Sequence, residues 1–138
     1  MTLTIATELD DINQEFQAAL QALEAALRPA EPDLIDLSQC RATLARRARA
    51  RLNFVDGKLC PALAAGPTPA HGAAARQLRL RIADLFAASN RHIGEWSSAR
   101  IAADWDGYRD ATRVMTAQVK ALLAMERRDI YPLLATAA

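Results

Sequence analysis

Apolar residues recur at alternating steps of three and four along nearly the whole chain, which is the spacing of helices with one buried face. Only three segments interrupt the pattern. The first run places Ile5, Leu9, Ile12, Phe16, Leu20, Leu23 and Leu27 on one side of a helix that ends near Arg28. Pro29 and Pro32 cannot continue it, and each disfavours the α conformation in the residue before it. Asp33 can cap a second helix, with Asp36 three residues on as in a capping box. The second stripe reads Leu37, Leu44, Ala48, Leu52, Val55, Leu59 and Leu63 until Gly66-Pro67-Thr68-Pro69 breaks it. Thr68 as cap and Pro69 as first position open a third helix with Leu78, Ile82, Leu85, Ser89, Ile93 and Trp96 on its stripe, ending near Ile101. Asp104 or Asp106 then opens a fourth, through Tyr108, Met115, Val119, Leu122, Glu126, Ile130 and Leu133 to the end.

Four helices of roughly 25 to 33 residues joined by short loops predict one all-α domain over residues 1–138, an antiparallel up-down-up-down four-helix bundle. Composition agrees. About half the residues are apolar, mostly Ala and Leu, but only 5% are aromatic, which suits packed helices better than sheets.

Charge is unevenly placed. Residues 1–36 carry eight acidic groups and one basic group, Arg28, whereas residues 37–101 carry eleven basic groups against Asp56, Asp84 and Glu95. With a net charge of +1, the two fields are expected to cancel by packing the first helix on the second and third, so neither nucleic acid nor an anionic membrane is expected as partner. The run Arg46-Arg47-Ala48-Arg49-Ala50-Arg51 spreads around a helix rather than forming a stripe, and reads as a solvated face paired to Glu8, Asp10, Glu15 or Glu24.

Cys40 and Cys60 fall in one predicted helix, about 30 Å apart at ~1.5 Å per residue, too far to pair. A reduced, cytoplasmic setting follows. The start Met1-Thr2-Leu3-Thr4-Ile5-Ala6 lacks the features of a signal peptide, and no apolar run approaches the ~18 residues of a membrane span. The chain is expected to be soluble.

The ends of the second and fourth helices form an internal repeat. Val55-Asp56-Gly57-Lys58-Leu59-Cys60-Pro61-Ala62-Leu63 aligns with Glu126-Arg127-Arg128-Asp129-Ile130-Tyr131-Pro132-Leu133-Leu134. A proline in the last turns of both should kink or loosen each terminus at an equivalent height. These endings resemble the hemerythrin-like (HHE cation-binding) family, whose second and fourth helices close with a His, then a Glu, then a Leu-Tyr-Pro-x-Leu type ending. Here the endings are Leu59-Cys60-Pro61-Ala62-Leu63 and Ile130-Tyr131-Pro132-Leu133-Leu134, and the likeness extends loosely through His92, Trp96, Ile101, Asp104 and Trp105.

The resemblance implies a di-iron site held by imidazoles and bridging carboxylates. On the second helix the family's His falls on Arg51 and its Glu on Val55. On the fourth the His falls on Leu122, and only the Glu is kept, as Glu126. The matching height is near Asp11 to Glu15 on the first helix, which has no His, and near Arg79 to Ile82 on the third, where His71 is too close to the loop and His92 too deep. Neither metal nor other cofactor is therefore expected.

In place of a metal, Glu126 is expected to pair with Arg51 or Arg79, since a carboxylate in an apolar interior otherwise neutralises. The alternative is that Glu126 sits at the stripe's edge and reaches water. His92, Trp96, Trp105 and Tyr108 either line a small pocket or plug the core. Cys60, at the family's Tyr position, reads as a small core residue. No catalytic constellation is present, so the chain is expected to be non-enzymatic: a degenerate hemerythrin-like bundle acting as a binding or regulatory module for an unknown protein or small ligand. The alternatives are an altered-site iron protein for oxygen, iron or nitric-oxide sensing, and an interaction module or homo-oligomer assembling through helix faces, with Ala73 to Ala75 as a flat surface.

Overall fold

The stripes and breaks described above appear as helices in a computed structural model, which describes residues 4–135. The order is α1 (Ile5–Ala26), α2 (Leu34–Phe54), a π-helical turn (Val55–Leu59), α3 (Cys60–Ala64), α4 (Pro69–Glu95), α5 (Ser98–Ala103), α6 (Trp105–Met125), a second π-helical turn (Glu126–Ile130) and α7 (Tyr131–Ala135). No strand occurs among the described residues, so the class is all-α. None of the described helices is long and apolar enough to cross a membrane. The chain start and the run of the last helix to the terminus reach residues outside those described.

The helix ends follow local chemistry. Thr4 accepts from the Thr7 N–H at 3.1 Å and Asp33 from the Asp36 N–H at 3.1 Å, each satisfying a donor the helix leaves free. Thr68 departs from expectation. Pro69 is the first residue of α4, but the Thr68 hydroxyl bonds the His71 ring at 2.7 Å instead of capping the backbone. The expected end of the third helix near Ile101 is also corrected. The helix stops at Glu95, Trp96 leaves the α region at φ −109°, ψ 79°, and Ser97 starts α5 by accepting from the Arg100 N–H at 3.2 Å. A serine that can bond the backbone locally competes with helix continuation. Asp104, not Asp106, caps α6, accepting from the Gly107 N–H at 3.0 Å.

The two prolines act differently from the expected kink. Each is preceded by a π turn: the Cys60 N–H bonds the Val55 carbonyl before Pro61, and the Tyr131 N–H bonds the Glu126 carbonyl before Pro132. The wider turn accommodates a ring that would collide with the carbonyl four residues back. The helices therefore continue over 34–64 and 105–135. Val55 and Glu126, aligned in the sequence repeat, each open a π turn and are each buried.

Side-chain partners give the helix directions. Along α1 and α2, Cys40 meets Ala22, Arg47 meets Glu15, and Arg51 meets Asn13, so the two run oppositely. From α4 to α6 and beyond, His92 meets Thr112 while His71 meets Leu133, again in reverse order. Leu9, Leu59, Leu63 and Leu78 pack at the end with both π turns, and Leu37, Trp96, Ile101 and Tyr108 pack at the other. Gly66 closes against His71: a Cβ there would collide with the imidazole, which is 1% exposed. Helices α3 and α4 pack closely beside that loop, and farther along a cleft lies between apolar residues of α2 and α4.

Candidate functional site

Arg51 lies four residues before the first π turn, on the inner face of α2, and Glu126 opens the second. The Arg51 Nη2 donates to Glu126 Oε1. Arg51 Nε donates to Asn13 Oδ1 at 2.9 Å, Asn13 Nδ2 donates to the Tyr131 hydroxyl at 3.3 Å, and that hydroxyl donates to Asp10 Oδ1 at 2.7 Å. The chain of contacts thus runs from a fully buried carboxylate to an exposed one, across α1, α2 and the end of the last helix. The Arg51 guanidinium also lies 5.9 Å from the centre of the Phe16 ring.

Burial pushes the Glu126 carboxyl above its ordinary range, and the charge and hydrogen bond of Arg51 pull it back only in part. Its Oε2 is buried without a hydrogen-bond partner. Tyr131 is pushed up to about 12 by burial and by its bond to Asp10. Arg79 does not join this pair. Its Nε faces Asp56 at 3.8 Å on the surface.

The residues at the positions matching the family's ligands do not fit a di-iron centre. Val55 and Leu122 offer no donor atom, and the one carboxylate, on Glu126, is held by a guanidinium. No three His, Cys, Asp or Glu side chains among the described residues are grouped so as to hold a metal ion. His71 is engaged elsewhere. Its Nε2–H donates to the Leu133 carbonyl at 3.1 Å and its Nδ1 meets the Thr68 hydroxyl at 2.7 Å, tying the start of α4 to the end of the last helix.

No protein-family model matches this chain, and no curated protein or solved structure does either. Its chemistry therefore rests on its own geometry.

Beside the ion pair, the apolar cleft between α2 and α4 reaches α1 and α6. Its larger part has a volume of about 410 Å³ and is bounded by Phe16, Leu44, Ala48, Ile93, Met115 and Val119. A smaller part of about 170 Å³ extends past Leu52, Ile82, Leu85 and Phe86 to Arg51. Leu85 and Ser89, read as buried stripe, are only partly covered and Ile93 is exposed, and all three border this cleft.

The four-residue aromatic group divides. His92 and Tyr108 line the cleft, whereas Trp96 and Trp105 pack on Tyr108 at 5.5 and 5.9 Å and seal the end of the core. Trp105 Nε1 donates to the Pro29 carbonyl at 2.9 Å. His92 stacks on Tyr108 at 5.6 Å and its Nε2 meets the Thr112 hydroxyl at 3.1 Å. Burial first, and the nearby Arg41 second, lower its pKa.

The arginine run spreads around its helix, and each member finds a different neighbour. Arg46 bonds Thr43, Arg47 pairs with Glu15 at 2.9 Å, Arg49 lies over Phe86, and Arg51 is buried. The other acceptors expected for it go elsewhere: Glu8 to Lys58, Glu24 to Lys120 and Asp10 to Tyr131. The flat surface expected at Ala73 to Ala75 is also corrected, because Ala75 is 2% exposed and accepts from the Cys60 thiol through its carbonyl. Burial raises the pKa of both cysteines, Cys60 from a fully covered site.

Asn13 escapes the sequence reading, which assigns Ile12 to the buried stripe. The signal is present: Asn13 stands at i+4 from Leu9 and three before Phe16, so a polar side chain occupies the inner face and needs a buried partner.

Proposed function

We propose that this chain is a hemerythrin-like four-helix bundle of up-down-up-down topology that has lost its di-iron site and works as a non-enzymatic binding module. The observation that carries this reading is the Arg51–Glu126 pair at the height of the family's ligand positions, with a cleft of ligand size beside it. The pair fills the space where imidazoles and a bridging carboxylate would meet. Antiparallel pairing of α1 with α2 and of α4 with α6, and the repeated π turns, support the bundle reading. Regulation follows if a ligand in the cleft changes the spacing of α2 and α4.

The test is to purify the protein from iron-supplemented cells without chelator, measure bound metals by mass spectrometry, and record thermal unfolding with and without added iron. Substoichiometric metal and an unchanged melting temperature are expected. Near-stoichiometric iron that raises the melting temperature overturns the metal-free reading in favour of oxygen, iron or nitric-oxide sensing.

A further inference from the structure

The cleft between α2 and α4 has a charge character that its apolar walls do not require. Arg41 and Arg49 stand at its mouth on α2 and Arg51 at its inner end, and no Asp or Glu lines it. Arg41 and Arg49 have no carboxylate partner among the described residues, although Arg47, between them, pairs with Glu15. Arg41 is half-buried, lies 5.7 Å from the centre of the Tyr108 ring, and spends one donor on a 3.5 Å contact to the Ile93 carbonyl. The Arg49 guanidinium lies 5.8 Å from the centre of the Phe86 ring. Each arginine is therefore held at the rim with donors left over.

We infer that the cleft binds a single-chain amphiphile with a carboxylate head, the head on the Arg41 guanidinium and the alkyl chain along the apolar floor towards Ile82. This deepens the binding-module reading and rests on it. From Arg41 to Arg51 the cleft spans ten residues of helix, roughly 15 Å at 1.5 Å per residue, enough for an extended chain of medium length. Phe16, Leu44, Ala48, Leu85 and Val119 offer that chain surface with no polar group needing a partner. A planar guanidinium fork matches a carboxylate with two parallel hydrogen bonds, a geometry an ammonium cannot copy. A cationic head would be repelled by the Arg41 guanidinium, and an alcohol offers it one uncharged acceptor where a carboxylate offers two charged ones.

The test titrates the purified 138-residue chain with dodecanoate, dodecanol and dodecylamine below their aggregation concentrations, by calorimetry and by displacement of a fluorescent fatty acid. Dodecanoate is expected to bind one per chain, at least tenfold tighter than either control, and tighter than octanoate. Arg41→Gln is expected to weaken dodecanoate about tenfold and leave dodecanol unchanged. Ala45→Trp, at an exposed cleft position, is expected to abolish binding while helicity and melting temperature stay near wild type. Equal affinity for dodecanoate and dodecanol, or unchanged binding in Arg41→Gln or in a folded Ala45→Trp, overturns the inference. The metal assay is read separately. Metal-free protein that fails this titration removes only the amphiphile, whereas iron-loaded protein that passes it removes only the metal-free reading.

Discussion

Arg51 and Glu126 form a salt bridge at non-equivalent positions of two equivalent helix ends. In the repeat, Arg51 aligns with Leu122 and Val55 with Glu126, so each half supplies one charge and one apolar side chain. Both charges are sealed, with 5% of Arg51 and none of Glu126 exposed. Breaking such a pair leaves one charge buried alone and costs about 3–5 kcal/mol, whereas replacing both partners with apolar groups is often neutral or stabilising. Arg51→Met and Glu126→Leu are each expected to lose stability on that scale, and the double variant to recover most of it. Denaturant unfolding of the four proteins measures this; additive losses would mean the two residues do not act as a pair.

Glu126 also sets a pH dependence. Its folded pKa is raised above the ordinary value of 4.5, so the folded state holds a proton the unfolded chain has released. That contribution is fully present below 4.5 and is lost as pH rises through the folded value. Glu126→Gln cannot titrate there. The difference in unfolding free energy between wild type and Glu126→Gln is expected to shift against wild type as pH rises through this window. A shift in the opposite direction would show that Arg51 outweighs burial.

Tyr131 links two helices and ends the contact chain at Asp10. Tyr131→Phe removes the acceptor for Asn13 Nδ2 and the donor to Asp10, at a cost of about 1 kcal/mol. Because its folded pKa is pushed from 10.0 to about 12, the neutral phenol stabilises the fold below 10 and that stability is lost as pH rises towards 12. Unfolding measured through this interval should decline less steeply in Tyr131→Phe than in wild type.

The two thiols should differ in access. Cys60 is fully covered and Cys40 half-buried, and burial raises the pKa of both. An aromatic disulfide reagent at neutral pH is expected to label Cys40 slowly and Cys60 only after denaturation. Fast labelling of Cys60 in the native protein would contradict its place in the core.

Much of the architecture is legible along the chain because it is local. The prolines at 29, 32, 67 and 69, the cap at Asp33 and the three-four spacing depend on neighbours within a turn or two, and their helices appear where expected. The break at Trp96 was missed although its signal is equally local: Ser97 caps α5 by accepting from the Arg100 N–H three residues on. The π turns were half legible: the prolines marked their place, but widening rather than kinking depends on keeping Val55 and Glu126 in the core.

By itself, the sequence determined the helical class, the equivalence of the two helix ends and the scarcity of metal donors at the height of Glu126. These follow from residue identity and from the 3.6-residue turn. Only the tertiary structure decided that Arg51 and not Arg79 reaches Glu126, that Asn13 and Tyr131 complete the network, and that a cleft remains between α2 and α4. Those outcomes depend on how far apart separate helices stand, which is set by the side chains packed between them and not by the order of residues along any one of them.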